Sequence, residues 1–83
     1  MSRAGASSAP SRASRDVLKR SVTIAGHRTS LSLEPVFWDA LVAAASTEGK
    51  SLNQLVGEID EARTTNLSSA IRVWLYERAR SGR

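Results

Sequence analysis

The chain has no cysteine and only one histidine in 83 residues. The first absence excludes disulfides and thiolate metal sites. The second leaves any metal site to carboxylates, and no suitable carboxylate cluster stands out. A cysteine-free chain is compatible with a reducing cytoplasm. Long apolar runs are missing too. The longest, Ala40 to Ala45, is far short of the roughly 20 residues that span a bilayer. The N-terminal arginines are not followed by an apolar segment, so no secretory signal is expected, and the chain reads as soluble and cytoplasmic. It shows no nucleophile–base pair, no glycine-rich phosphate loop and no metal-ligand spacing. Enzyme activity, catalytic residues, bound metal and cofactors are therefore not expected.

A chain of this length makes one small domain. Without disulfides or metal, its remaining means of support is oligomerisation. The net charge of +4 is unevenly distributed. Residues 1–30 carry Arg3, Arg12, Arg15, Lys19, Arg20 and Arg28 against Asp16, while residues 31–83 come to −1. A basic arm ahead of a near-neutral fold fits either a polyanionic partner or a solubilising tail.

Residues 1–15 are mostly Ser, Ala, Arg and Gly and lack apolar periodicity, so a disordered basic arm is expected over 1–18. A folded domain over 19–80 and a short tail over 81–83 follow. Lys19 to Ile24 alternates weakly, as a short strand or an extended arm, and is broken at Ala25-Gly26. From Arg28 the alternation is clearer: Leu31 and Leu33 fall on one side of an extended chain, and Arg28, Ser30 and Ser32 on the other. A lone strand leaves its backbone groups unpaired. No matching strand follows, so one strand per chain, about 28–34, is expected to pair with the same segment of a second copy. The resulting ribbon, polar on one face, has the size and chemistry to enter a DNA major groove.

Three amphipathic helices are expected after the strand. Pro35 suits a first helical turn, and Phe37, Leu41, Ala44 and Ala45 set one face of a helix over about 35–48, with Val36, Ala40 and Val42 beside them and Trp38 towards the flank. Gly49 is a C-terminal stop and Ser51 an N-cap for a second helix over about 51–62, striped by Leu52, Leu55, Val56 and Ile59. Asn66 caps a third over about 67–80, with Leu67, Ala70, Ile71, Trp74 and Leu75 on one face. The turn Gly49-Lys50-Ser51-Leu52-Asn53 places a cation, a hydroxyl and an amide at a helix N-terminus, where free N–H groups and the dipole favour phosphate. An ordinary serine-capped turn has the same composition. His27 is either an exposed turn residue or a phosphate and pH-sensitive group.

Taken together, Ser-Leu-Ser-Leu-Glu-Pro, a helix carrying Phe37, Asp39 and Leu41, and Gly49-Lys50-Ser51-Leu52-Asn53 resemble the ribbon-helix-helix repressors of the Arc and MetJ type. The resemblance covers roughly residues 28–62. The wider Gly-His-Arg-Thr-Ser-Leu-Ser-Leu-Glu string, with Asn66 to Ala70 downstream, is similar to a bacterial subfamily with an extra C-terminal helix. Asn66 to Leu75 also resembles the family's second helix, a rival register in which 51–62 is an insertion.

The resemblance implies a mainly α fold acting as a homodimer, or a higher oligomer, whose antiparallel ribbon lies in the major groove of double-stranded DNA. It places base-reading roles on Arg28, Ser30 and Ser32, and phosphate contacts on Ser51 and Asn53. Lys19, Arg20 and Lys50 add sequence-independent phosphate attraction. Two short serines make a less discriminating face than longer polar side chains would. The implied function is transcriptional regulation, as a repressor. The alternative is a protein-interaction or antitoxin-like dimer whose third helix binds a partner protein.

Overall fold

A computed structural model describes residues 16–82. Most of the expected basic arm, including Arg3, Arg12 and Arg15, lies outside the described residues. Two strands come first, β1 (Leu18–Ile24) and β2 (His27–Leu33), then three helices, α1 (Pro35–Glu48), α2 (Leu52–Ala62) and α3 (Leu67–Arg80). All three expected helices are present, their bounds matching to within one residue. The architecture is the expected ribbon followed by helices.

The ribbon differs from expectation in one respect. β2 does not wait for a second chain, because β1 pairs with it antiparallel within the same chain, from Leu18 opposite Leu33 to Ile24 opposite His27. The expectation of one strand per chain is corrected to two. The cause is Ala25-Gly26, which is a turn and not merely a break. Both residues have positive φ, 51° and 81°, as a two-residue type I′ hairpin turn requires. Gly26 adopts that backbone without cost, while Ala25 does so against its Cβ. β1 was hard to recognise because Arg20 occupies a position on the apolar side of its alternation.

Residues opposite one another in an antiparallel pair share a face. One face carries Leu18, Arg20, Val22 and Ile24 with Leu33, Leu31, Thr29 and His27. Val22, Leu31 and Leu33 on it are buried. They pack with Trp38, Leu41, Ala44 and Ala45 of α1, Leu55, Val56 and Ile59 of α2, and Ile71 and Leu75 of α3. Among the described residues no polar or charged side chain is buried. The core of one chain is thus apolar and draws on all five elements, with α3 supplying part of it. α2 is integral to that core, which gives residues 51–62 a structural role an insertion would lack.

Local signals mark each helix end. Glu34 precedes α1 in extended conformation with Pro35 in the first turn. Gly49 ends α1 at φ 71°, where its N–H donates to Ser46 O and the Lys50 N–H to Ala45 O. Ser51 Oγ accepts from the Gln54 N–H and Asn66 Oδ1 from the Ser69 N–H. These bonds satisfy amides that the helix itself leaves without partners.

Helix α1 is rotated from the expected face. Trp38, expected at the flank, is only 1% exposed, whereas Val36 and Val42 are about half exposed, at 53% and 49%. Trp38, Leu41 and Ala45 follow helical spacing along one stripe, and the indole brings the largest apolar area to it. Its Nε1–H donates to Leu18 O at 3.0 Å. Trp38 therefore faces β1, a segment that the sequence left open as a short strand or an extended arm.

Candidate nucleic-acid interface

The other face of the ribbon carries Lys19, Ser21 and Thr23 on β1 and Arg28, Ser30 and Ser32 on β2. All six are polar and none is acidic. Five are exposed and Ser32 is half-buried. Arg28, Ser30 and Ser32 are the residues expected to read bases, and the structure brings them together in one row. Lys19 joins them. Ser21 and Thr23 were missed, although two alternating runs flanking Ala25-Gly26 are the signal that could have found them.

Arg20, expected beside Lys19 as a phosphate contact, lies on the opposite face. Strand alternation turns it towards α1, where its guanidinium sits 5.1 Å from the Trp38 ring centroid. The fold separates two cations that are adjacent in sequence.

Charge pairing sharpens the contrast between the faces. Lys50 is bound to Glu58, Arg63 to Asp60, Arg72 to Glu34 and Arg78 to Glu48, and Arg80 lies 4.0 Å from Glu77. Arg72, Arg78 and Arg80 also lie over aromatic rings. Among the described residues, Lys19 and Arg28 are the cations with neither a carboxylate nor a ring partner. Both belong to the polar face of the ribbon, whereas Arg20, also without a carboxylate, lies on the other face over Trp38.

Helix side chains hold both edges of the ribbon. Asn53, in the first turn of α2, accepts the Thr23 N–H on Oδ1 at 3.1 Å. Ser68, in the first turn of α3, donates its hydroxyl to Ser32 O at 2.9 Å. Edge strands with unmet backbone groups invite further pairing, and each of these bonds occupies one such group. Arg72, one turn further along α3, closes on Glu34 at 2.9 Å just after β2. The Arg72 guanidinium hydrogen bond, assisted by the Glu34 backbone, holds the Glu34 carboxyl below its ordinary range.

The expected phosphate group at the start of α2 is engaged within the fold. Lys50 Nζ is 2.5 Å from Glu58 Oε1, and this hydrogen bond raises the lysine pKa. Its charge is largely compensated locally, so its pull on phosphate is reduced. Ser51 Oγ is an acceptor for Gln54 and Asn53 Oδ1 an acceptor for Thr23. Ser51 keeps its O–H and Asn53 its amide NH₂ as donors. His27 is exposed beside the turn. Among the described residues no group of three or more His, Cys, Asp or Glu is placed to hold a metal ion, and no helix is long and apolar enough to cross a membrane.

The same elements recur in known proteins. A ribbon-helix-helix domain family model matches residues 17–79, which include both strands and nearly all of the three helices. Among solved structures, an uncharacterized protein from Bordetella pertussis Tohama I is similar at 30% identity and a TM-score of 0.66. The match covers 78% of this chain and 57% of the Bordetella chain, so the present sequence spans somewhat more than half the length of that relative. No curated protein matches. A family match over both strands and the helices, with the polar ribbon face those elements build, makes this chain a member of a ribbon-helix-helix domain family, a class of DNA-binding regulators.

Proposed function

We propose that the chain is a sequence-specific, bacterial, cytoplasmic transcriptional regulator of the repressor type, and that its ribbon enters the major groove of double-stranded DNA. The observation that carries this is the polar face itself: six polar side chains, no carboxylate, and the two unpaired cations Lys19 and Arg28. A seven-residue ribbon is about 20 Å long. The major groove, about 12 Å wide, accepts a two-stranded ribbon. The likeness to a Bordetella protein supports the bacterial setting.

In this reading Arg28 makes a bidentate contact to guanine, and Ser30 and Ser32 give tolerant hydroxyl contacts. Ser51, Asn53 and the first N–H groups of α2 approach a phosphate, while Lys50 contributes less because Glu58 holds it. Lys19 adds attraction to the backbone, and Arg20 does so only from the flank. The homodimer that the family implies sets the spacing between two ribbons, each paired within its own chain.

Selection of bound sequences from a random duplex pool, followed by titration with Arg28→Ala, tests this reading. The variant is expected to lose roughly 1–3 kcal/mol of specific binding while keeping its fold. An unchanged ratio of specific to non-specific affinity removes Arg28 as a reader, and a wild-type chain that enriches no sequence removes sequence-specific recognition.

A second reading has its own observation. Val73 and Tyr76 of α3 are more than half exposed, and Trp74 lines a groove with Ile59, Ala62 and Ala70. This surface suits a partner protein. A gel shift on random duplex separates the two, because an interaction module gives no salt-dependent shift.

A further inference from the structure

We propose that the solvent side of α1 is the seat of a second copy of this chain, with the two α1 helices crossing antiparallel at Ala40 and Ala43. The inference rests on the dimeric regulator described above and names the surface that joins its two chains.

Helix α1 is apolar on both sides. Trp38, Leu41, Ala44 and Ala45 are buried in the core of the chain itself. On the other side Val36 and Val42 are about half exposed, and Ala43 is exposed beside them. The charged residues of α1 are Asp39 and Glu48, and Glu48 is bound to Arg78 of α3. The other two helices differ, since α2 turns Glu58 and Glu61 to solvent and α3 turns Glu77 and Arg80. A helix that is apolar all round is ordinarily buried all round. One chain covers only half of α1.

The ribbon offers a second chain little to pair with. β1 and β2 are partners of each other, and Asn53 and Ser68 each occupy a backbone group on an outer edge. Lys19 and Arg28 add a cation to each strand. Edges that are partly covered and charged resist further pairing. The family match implies a dimer, which leaves the helices to provide it. α1 is the helix with an apolar side to give.

Its spacing suits a copy of itself. Val36, Ala40, Ala43 and Thr47 recur at intervals of four, three and four residues, along one side of the helix. In an antiparallel crossing Val36 meets Thr47 of the second copy and Ala40 meets its Ala43. A two-fold axis then generates the reverse contacts. The groove between α1 and α3, lined by Ala43, Thr47, Leu75 and Ala79, continues the same side. Two helices about 21 Å long and about 10 Å across offer roughly 400 Å² per copy. That is below the standard interface size, so the free dimer is weak, and two adjacent DNA sites strengthen it.

Sedimentation of the full chain without DNA, from about 1 μM to about 1 mM, tests the proposal. A monomer–dimer equilibrium is expected. Ala43→Glu, at the centre of the crossing, is expected to weaken the dimer by at least about 10-fold, because it sets two carboxylates against each other. Val36→Glu is a second variant with the same expected direction, and an acidic residue in the first turn favours the helix itself. Circular dichroism checks that both remain folded. Val73→Glu, on the far side of α3, is expected to leave the dimer unchanged. A chain that stays monomeric throughout overturns the proposal. So does a dimer that withstands both α1 variants, or one that Val73→Glu breaks instead. Loss of DNA binding with the dimer and its α1 dependence intact would refute the regulator reading and leave this interface standing.

Discussion

Replacing Trp38 with Phe tests the link between the ribbon and the helices. Trp38 is 1% exposed and its Nε1–H donates to Leu18 O at 3.0 Å. Phenylalanine keeps most of the apolar contact but removes the donor and part of the ring volume. Leu18 O keeps its ladder partner opposite Leu33 when the indole is removed, so the loss is that of one hydrogen bond, about 0.5–1.5 kcal/mol. The volume removed adds a packing loss of about 1 kcal/mol, at the small end of core truncations. The total, about 1.5–2.5 kcal/mol, is a sizeable share of the roughly 4–12 kcal/mol that a domain of this size possesses. At about 4–8 °C per kcal/mol, Tm should fall by at least about 6 °C. Thermal unfolding followed by far-UV circular dichroism measures this, and amide exchange should show the amides at the start of β1 losing protection first. Trp38→Ala, a loss of about 3–5 kcal/mol, should lower Tm further still. A Trp38→Phe variant within about 2 °C of wild type would refute the view that this indole anchors the in-chain strand.

Two further predictions concern the ribbon and its closing ion pair. Ala25→Asn makes the turn Asn-Gly, the sequence best suited to a type I′ hairpin, and should stabilise the chain by about 1 kcal/mol, read as a higher urea midpoint. A lower midpoint would contradict the assigned turn. The Glu34 carboxyl titrates below its ordinary value of 4.5 because Arg72 bonds its charged form. A depressed folded pKa gives stability that is present above the unfolded value and lost as pH falls through the folded one. Tm should therefore decline as pH drops below about 4.5, and Glu34→Gln should be less stable at neutral pH with a shallower acid decline. An acid profile identical to wild type would remove the pair from the account.

The helices were legible because their signals are local. Pro35, Gly49, Ser51 and Asn66 each act on the backbone within one turn, and the observed caps use those residues. The apolar stripes of α2 and α3 were equally plain: Leu55, Val56, Ile59, Ile71 and Leu75 are buried as their spacing requires. Half of the polar face was legible too, since alternation alone puts Arg28, Ser30 and Ser32 on one side of a strand. Strand pairing is not a local property. Whether β2 takes its partner from the same chain or another depends on a turn tolerating Ala25 at positive φ and on Arg20 finding a place over Trp38. Neither condition can be read from alternation, and leaving Lys19 to Ile24 open between a strand and an arm hid Ser21 and Thr23.

By itself, then, the sequence determined a small, cysteine-free chain with three capped helices after a polar-faced strand, because capping and periodicity act over a few residues. Only the tertiary structure decided that the ribbon closes within one chain, because its register joins residues on either side of a turn. It also decided that Trp38 faces inward, that Arg20 lies over its ring, and that Lys50 is held by Glu58. Lys19 and Arg28 remain as the unpaired charges of the ribbon, an outcome of which carboxylates and rings the fold brings within reach of each cation.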